Sequence, residues 1–384
     1  MLNFQFYEKV KVVFGNGAVR QLGELAKHIG CGKALIVCDP AIRAAGVVEK
    51  VTRGLESEGI GYAIFDGCEP NPPIAVSEKG YEIFQTEGCD FIIGLGGGSN
   101  IDCAKGVNIL RFNPAPLIQY ANFQKPFDVG AGLVIVPTTA GTGSEMSDGA
   151  ILSDERHIKF NFIADQAFAE YAVVDPELMA GMPPKLTAYT GLDALTHAVE
   201  GYTGTLTNDF VQFFAEKVID TVAEYLPRAV ADGGDLEARG KMAVAASVGG
   251  FLLLYGHTHA GHSIGQTVGG YFDIPHGMAC AYAEPWVLEF NAPACPELTR
   301  RVGQAFGAAF TGKETPEEIG AKTRDAFIDF RDNRCGLPSI KTFPYDESLL
   351  DEVAEVCAKE FFQQFNPRKM AKADCLEILR KMYA

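Results

Sequence analysis

The sequence predicts an α/β domain followed by an all-helical domain. In the first half of the chain, short apolar, β-branched segments alternate with helical segments, which is typical of a parallel sheet covered by helices on both faces. Near residue 182 these strand signals stop, and alanine-rich, charged helical periodicity continues to the C-terminus. A chain of 384 residues is also too long to fold around one ordinary hydrophobic core. We therefore predict domains at residues 1–182 and 183–384.

Six segments of the first half carry the strand pattern. They are residues 11–15, 33–39, 61–67, 89–99, 132–139 and 171–175. Because these segments are apolar and lie between helices, a sheet buried on both faces is expected. Ligands of such sheets usually bind at the carboxyl ends of the strands, where polar loops follow.

The composition narrows the classes of partner. The chain has 33 basic and 49 acidic residues, a net charge of −16, which argues against nucleic acid or an anionic membrane surface as the main partner. No run of roughly 18 apolar residues suits a membrane span, and the first residues lack a signal-peptide pattern, so a cytoplasmic location is expected. The ten cysteines include no C-x-x-C pair, and we interpret them as reduced thiols that mostly pack.

A glycine-rich loop follows the fourth predicted strand in "GLGGGSNIDCAK" (94–105). Gly96, Gly97 and Gly98 allow the backbone to approach a pyrophosphate, and Ser99 begins a helix whose N-terminus favours an anion. The pattern G-x-G-x-x-S only partly matches the dinucleotide fingerprint. A strand-to-helix turn without a ligand is the alternative interpretation.

A second polar loop, "PTTAGTGSE", follows the fifth predicted strand. Its hydroxyls belong to Thr138, Thr139, Thr142 and Ser144, and two donor-rich loops at one sheet edge favour a nucleotide site. The alternative is that these hydroxyls only cap turns and helices.

Asp39 ends the second predicted strand. A carboxylate at this position can bind an adenosine ribose and repel a 2′-phosphate. However, Asp39 precedes the glycine loop instead of following it by about 20 residues, so the usual spacing rule does not assign it.

The helical half contains a candidate metal site. Asp193 and His197 are four residues apart, which places both on one face of a helix. A structural Asp–His pair is the alternative, but five of the seven histidines fall in this half, at positions 197, 257, 259, 262 and 276. Three histidines and a carboxylate form a shell suited to Fe²⁺ or Zn²⁺.

The spacing alone leaves open which histidines bind. If residues 258–269 form one helix, His259, His262, Ser263 and Gln266 share a face, and His257 points elsewhere.

Four motifs together resemble the iron-containing (group III) alcohol dehydrogenase family. They are "GLGGGSNIDCAK", "PTTAGTGSE", "GLDALTHAVEGY" and "HSIGQTVGGYFDIPHG". The likeness extends from "KVVFGNGA" near the N-terminus to at least "PHGMACAYAEPWVLEFN". It implies an NAD-binding α/β domain over 1–182 and a helical metal-binding and catalytic domain over 183–384, an architecture shared with dehydroquinate synthase-like enzymes.

The resemblance also implies site residues. The metal ligands are Asp193, His197, His262 and His276. The cofactor site comprises Asp39, Asn71, Gly96, Gly97, Gly98, Ser99, Asp102, Thr138, Thr139, Thr142, Ser147 and Lys159, with Asp39 favouring NAD over NADP. Gln266 is a departure, because many members carry at this position a histidine that relays a proton; His259 is the candidate replacement.

The implied activity is reversible, NAD(H)-linked oxidation of a small primary alcohol to its aldehyde, with Fe²⁺ favoured and Zn²⁺ compatible, in a homodimer or larger assembly. One alternative is an NAD- and metal-dependent sugar-phosphate cyclase, although no dense Lys/Arg cluster surrounds the histidines. A non-redox metallohydrolase is a second alternative, and a purely structural or metal-storage role leaves both phosphate loops unexplained.

Overall fold

A computed structural model describes residues 4–155, 158–164 and 167–384. The chain divides into two compact units: Tyr7–Gly181, and Met182–Ala384 together with the N-terminal segment that ends at Phe6. In the second unit the rings of Phe4 and Phe6 pack on Phe210, with centroid separations of 5.6 and 4.3 Å. The N-terminal segment therefore belongs to the helical unit by its contacts.

The first unit contains eight strands in its described part. They are β1 (Lys11–Phe14), β2 (Lys33–Val37), β3 (Gly61–Phe65), β4 (Phe91–Gly96), β5 (Leu133–Pro137), β6 (Gly149–Ser153), β7 (Lys159–Ile163) and β8 (Tyr171–Val174). Six form an all-parallel sheet in the order β1-β8-β5-β4-β2-β3, which confirms the predicted α/β class and all six predicted strands. The antiparallel pair β6–β7 was not predicted, because its strands are only partly buried and lack a continuous apolar run.

Helices cover the sheet. They are α1 (Leu22–His28), α2 (Pro40–Ala44), α3 (Val47–Glu56), α4 (Ile74–Thr86), α5 (Gly98–Phe112) and α6 (Pro176–Met179). Val51 and Leu55 of α3 belong to the same buried cluster as Ile36, Ile93 and Val134 of the strands. The central strands are thus buried as a layer between helices, and their polar ends are the positions open to a ligand.

The second unit is helical throughout its described part, as predicted. Its helices are α7 (Pro184–Thr203), α8 (Asp209–Ala231), α9 (Leu236–Leu252), α10 (Ala260–Phe272), α11 (His276–Asn291), α12 (Pro296–Ala305), α13 (Pro316–Asp329), α14 (Leu350–Lys359) and α15 (Lys372–Tyr383). Residues 191–203 of α7 are all buried, so α7 is the central helix, and it contacts α8, α9, α10 and α11. Among the described helices, none has both the length and the apolar composition that a bilayer span requires.

The helix predicted over 258–269 has different ends. It begins at Ala260 and ends at Phe272, with His259 as its N-cap in a non-helical conformation. His259 therefore does not share a helical face with His262 and Gln266, which corrects the prediction. The reason is local: the His259 side chain accepts the hydrogen bond from the Ala260 N–H, as a capping Ser or Asp does elsewhere.

Candidate functional site

Three histidines surround the carboxylate of Asp193 in the helical unit. The Nε2 atoms of His197, His262 and His276 lie 3.9, 3.8 and 3.7 Å from Asp193 Oδ1. Donor atoms that share one ion at about 2.1 Å are separated by roughly 3.4 to 4.2 Å. The structure therefore places the three predicted imidazole ligands around one oxygen of the predicted carboxylate ligand.

Helix geometry produces this arrangement. Asp193 and His197 lie one turn apart on α7, His262 lies on α10, and His276 is the first residue of α11. At Gly277 a Cβ atom would stand 2.9 Å from Asp193 Cβ, so the glycine of the "PHG" motif allows the start of α11 to approach α7.

His262 carries the clearest sign of a cation site. Its Nδ1 bonds Glu200 Oε1 at 2.6 Å, whereas its buried Nε2 has no hydrogen-bond partner within the described part of the chain. A histidine oriented through one nitrogen by a carboxylate, with its other nitrogen available, is the usual form of a metal-binding imidazole. The donor set of imidazoles and a carboxylate fits a divalent ion such as iron or zinc.

Cys280 is a further donor that the sequence analysis did not assign. Ligand atoms of Asp193, His262, His276 and Cys280 all lie within 4.8 Å of one another, and Cys280 Sγ is 3.9 Å from His276 Nε2. The cysteine stands one turn after His276 on α11. Its spacing was a usable signal, but the sequence could not show that this side of α11 meets α10.

Two buried glutamates lie beyond the histidines. A Cβ on Gly261 would touch both Glu200 and Glu284, so the two carboxyl groups flank the same point of α10. Burial alone would raise the pKa of Glu200, but His262 and His259 lower this pKa to about 2. Burial, and next the charge of Glu200, raise the pKa of Glu284 well above its usual value. These opposite shifts favour the ionised form of Glu200 and the neutral form of Glu284.

The ionised Glu200 favours positive charge at the site. Burial alone would lower the pKa of His262, yet contacts with Cys280 and Glu200 raise it well above its usual value. Burial and the neighbouring His262 lower the pKa of His197 well below its usual value. The cluster thus stabilises a cationic charge close to His262 and a neutral imidazole at His197.

The two residues predicted to be catalytic have different surroundings. His259 is fully buried, accepts from the Ala260 N–H at Nδ1 and lies 2.9 Å from Thr203 Oγ1 at Nε2. Burial lowers the pKa of His259 to about 4. Gln266 is half-buried and lies one turn after His262 on α10.

The glycine loop and the hydroxyl loop of the α/β unit contact each other. A Cβ on Gly97 would stand 3.3 Å from the Thr139 side chain, and one on Gly98 would stand 2.7 Å from Thr142 Cγ2. The Thr138 N–H donates to the Gly96 carbonyl at 2.9 Å. The loops therefore form one surface of hydroxyls and backbone at the N-terminus of α5, a 15-residue helix, as an anion site requires.

Asp39 is connected to this surface by Asn100. One Asp39 oxygen caps α2 through the Ile42 N–H at 2.8 Å, and the other accepts from Asn100 Nδ2 at 2.8 Å. Asn100 occupies the space beside Gly96, whose φ of +141° and lack of a side chain make this possible. The hydrogen bond from Asn100 therefore connects Asp39 to the glycine loop, a connection that the sequence spacing did not predict.

The other predicted cofactor residues Ser99, Asn71 and Ser147 differ in their exposure and in their hydrogen-bond partners. Ser99 is half-buried in the first turn of α5, and Asn71 is exposed in a left-handed conformation, with its carbonyl accepting from Ser153 Oγ at 2.6 Å. The Ser147 hydroxyl contacts the buried Lys105 amine at 3.1 Å.

Charged groups of α5 and β7 influence one another. Burial raises the pKa of Asp102 to about 7, against the lowering effects of Lys105, the Ile151 backbone and Lys159. Burial lowers the pKa of Lys105 to about 8. The raised pKa of Asp102 weakens its charge repulsion toward an anion at the start of its helix.

Comparison with known proteins gives consistent matches over the whole chain. The family model described as iron-containing alcohol dehydrogenase matches residues 9–176, and that of the C-terminal region of the Fe-containing alcohol dehydrogenase family matches 187–383. Choline dehydrogenase of Bacillus subtilis (strain 168) is 36% identical over 96% of this chain and 93% of its own. 1,3-Propanediol dehydrogenase of Klebsiella pneumoniae is 35% identical over 96% of both chains. A crystal structure of 1,3-propanediol oxidoreductase superposes with a TM-score of 0.93 at 33% identity, covering 99% of this chain and all of that one.

Proposed function

Because the chain belongs to the iron-containing alcohol dehydrogenase family and is an alcohol dehydrogenase or aldehyde reductase, we propose that it interconverts small primary alcohols and aldehydes with NAD(H). The observation that carries this proposal is the placement of three imidazole Nε2 atoms within 3.9 Å of Asp193 Oδ1. The sugar-phosphate cyclase and metallohydrolase alternatives are not favoured by these relatives.

Asp193, His197, His262 and His276 would hold the metal, with Fe²⁺ as the proposed ion and Zn²⁺ compatible with the same donors. When bound, such an ion polarises an alcohol or carbonyl oxygen as a Lewis acid. Glu200 orients the His262 ring through Nδ1, and the burial of the donors excludes water from most of the shell.

The cofactor site is proposed at the two contacting loops. The glycine backbone of residues 96–98 and the hydroxyls of Thr138, Thr139 and Thr142 would bind the pyrophosphate, and Asp39, held by Asn100, would favour NAD over NADP. Asn71, Ser99, Asp102, Ser147 and Lys159 complete the proposed set. These residues would hold a cofactor whose nicotinamide would supply the hydride acceptor or donor.

The proton path differs from that of relatives with a histidine at the position of Gln266. An amide exchanges no proton, so Gln266 can only orient a neighbouring group by hydrogen bonds. The prediction that His259 relays the proton stays a prediction. Its ring contacts, to the Ala260 N–H, to Thr203 and to the Glu200 carboxylate, favour a structural role instead.

We propose substrates that carry a second polar group. Two relatives are named for choline and 1,3-propanediol, which are both small primary alcohols with a further polar substituent. A half-buried amide at Gln266 offers a donor and an acceptor to such a group.

Assembly and location are also proposals. We propose a homodimer or larger assembly, because Val12 and Phe14 of the edge strand β1 are 45% and 49% exposed. A cytoplasmic location is proposed from the ten free cysteines, which suit a reducing compartment. Light scattering and cell fractionation test these two points.

The proposed activity is tested with anaerobically purified protein. We expect one divalent ion per chain, mainly iron, and oxidation of NADH with short aldehydes, including hydroxylated ones. Net accumulation of NADH with simple alcohols excludes a cyclase, in which hydride returns to the substrate within one turnover. Failure to bind NAD(H) would overturn the proposal and favour a hydrolase.

A further inference from the structure

Glu284 is a buried carboxyl group that the proposed function does not use. It lies on α11 and is fully buried, and neither of its carboxyl oxygens has a hydrogen-bond partner among the described residues. Burial of such a group is costly, because the carboxyl group has lost its hydrogen bonds with water. A buried polar group of this kind therefore requires a specific partner.

Glu200 of α7 offers that partner. A Cβ on Gly261 would stand 2.1 Å from Glu284 Oε2 and 2.7 Å from Glu200 Oε1, so the absence of a side chain at Gly261 allows both carboxyl groups to meet beside α10. Two ionised carboxylates at one point repel each other, and burial strengthens this repulsion. The pair is therefore stable only if one of the two carboxyl groups carries a proton.

The hydrogen bonds of Glu200 decide which carboxyl group this is. Glu200 Oε1 lies 2.6 Å from His262 Nδ1, and Glu200 Oε2 accepts from the backbone N–H of His259. Both contacts favour the ionised form of Glu200, whereas Glu284 has no such donor within the described part of the chain. Burial and the charge of Glu200 accordingly raise the pKa of Glu284 well above its usual value. These contacts favour the proton on Glu284.

We propose that Glu284 is a positioning residue of the metal centre: its protonated carboxyl group donates a hydrogen bond to Glu200 and thereby holds the Glu200 carboxylate against Nδ1 of His262. Glu200 then accepts hydrogen bonds from His262, His259 and Glu284, which together fix its orientation. Partners that orient a metal-binding histidine through its other ring nitrogen strengthen metal binding. This inference rests on the proposed function, because it assumes that His262 binds a metal.

Two substitutions separate the hydrogen bond from packing. The amide of E284Q keeps a hydrogen-bond donor at the same position, whereas E284M fills similar space without a donor. We expect E284Q to bind Zn²⁺ as tightly as the unmodified protein and E284M to bind it about tenfold more weakly, measured by competition with a chelator. The control is E289M, because Glu289 lies on the same helix and bonds Arg324; this variant should keep its Zn²⁺ affinity.

The stability of the metal-free protein separates a positioning role from a packing role. E284M replaces a buried polar group by an apolar one of similar length, so the free energy of unfolding should not fall. Weaker Zn²⁺ binding with unchanged stability supports the positioning role. Equal Zn²⁺ affinity in E284M and the unmodified protein, an equal loss in E284Q and E284M, or a parallel loss of stability and affinity in E284M overturns it.

Infrared spectroscopy tests the position of the proton without a metal. The unmodified, metal-free protein at neutral pH should show a C=O stretching band of a neutral carboxylic acid that is missing in E284Q. Identical spectra in this region overturn the inference even if E284M fails to fold. If the unmodified protein binds no Zn²⁺, the proposed metal centre is wrong and the role of Glu284 with it. If it binds Zn²⁺ and E284M does so equally well, only the role of Glu284 is wrong.

Discussion

In the helical unit the candidate site is made of side chains, whereas in the α/β unit it is made of backbone and of positions that lack side chains. The proposed metal cluster depends on the donor atoms of Asp193, His262 and His276, whose imidazole Nε2 atoms lie 3.8 and 3.7 Å from Asp193 Oδ1. The proposed nucleotide surface depends on Gly97 and Gly98, which leave space beside Thr139 and Thr142.

Because one site consists of side chains and the other of backbone, the two regions should respond differently to substitution. Removing one donor in the helical unit changes the chemistry of the site without a large change in packing. Adding one methyl group in the α/β unit changes the geometry without removing any functional atom. Metal content and cofactor affinity are therefore separate readouts of the two regions.

The largest effect is expected for H262A. The variant removes a buried donor whose Nε2 has no hydrogen-bond partner among the described residues, so it should lose bound metal and lower turnover by about a thousandfold or more. Its NADH affinity should stay within about twofold. Metal analysis, steady-state kinetics and NADH fluorescence measure these quantities.

H257A is the matched control, because His257 stacks on Phe365 at 4.6 Å and is not part of the cluster. It should keep its metal. Full metal content in H262A would show that the ligand assignment is wrong.

A smaller effect is expected for E200Q. The amide keeps the size of the side chain but removes the charge that faces His262 Nδ1 at 2.6 Å. Metal affinity should fall about 10- to 100-fold, as is usual when a partner of a ligand histidine is changed. Competition with a metal chelator measures this affinity.

E216Q provides the comparison, since Glu216 accepts a hydrogen bond from Tyr202 in the same unit and, within the described part of the chain, bonds none of the cluster histidines. Equal metal affinity in E200Q and E216Q would remove Glu200 from the site.

In the α/β unit, G98A should weaken NAD(H) binding about tenfold and leave metal content unchanged. The new methyl group would meet Thr142 Cγ2 at 2.7 Å, and relieving this contact separates the two loops. Isothermal titration calorimetry measures the affinity. G181A is the control, because a Cβ there has open space. If G98A binds NADH as tightly as G181A does, the loops are not the cofactor site.

The sequence predicted the six parallel strands because strands that are buried on both faces of a sheet consist of continuous apolar residues. It did not predict β6 and β7; in β7 the half-buried polar residues Lys159 and Asn161 alternate with Phe160 and Phe162 over only five residues. The start of α10 was also misplaced, because the capping residue is a histidine and not one of the usual small polar residues.

The site was predicted to the extent that it follows helical periodicity or a motif. Asp193 and His197 share a face of α7 by spacing alone, whereas His262 and His276 were implied as ligands only by the family resemblance, through the "HSIGQ" and "PHG" motifs. Cys280 and Glu284 were not assigned, because their roles depend on the packing of α11 against α10, which the pattern of one helix does not contain. Glu200 follows His197 by three residues, so the spacing alone placed it close to His197 on α7. Its contact with His262, which shows why it matters to the site, is visible only in the structure.

The smallest effect on catalysis is expected for H259Q, which tests whether the buried histidine relays a proton. Because the pKa of His259 is about 4, the ring stays neutral at ordinary assay pH, and the pH profile of turnover should be unchanged in the variant. A shifted profile would instead support the relay. The free energy of unfolding should fall by about 1–3 kcal/mol, since the contacts of His259 with Ala260 N–H and Thr203 are disturbed.

The pH dependence of stability gives H259Q a second readout. The pKa of His259 lies below the 6.5 of a free histidine, so between pH 6.5 and about 4 the unfolded chain binds a proton that the folded chain does not. The contribution of His259 is therefore fully present above pH 6.5 and decreases as the pH falls through this interval. Denaturant unfolding at a series of pH values measures the free energy of unfolding, and its decrease between pH 6.5 and about 4 should be smaller in H259Q. If the free energy of unfolding depends on pH identically in both proteins, His259 is not held neutral by its burial.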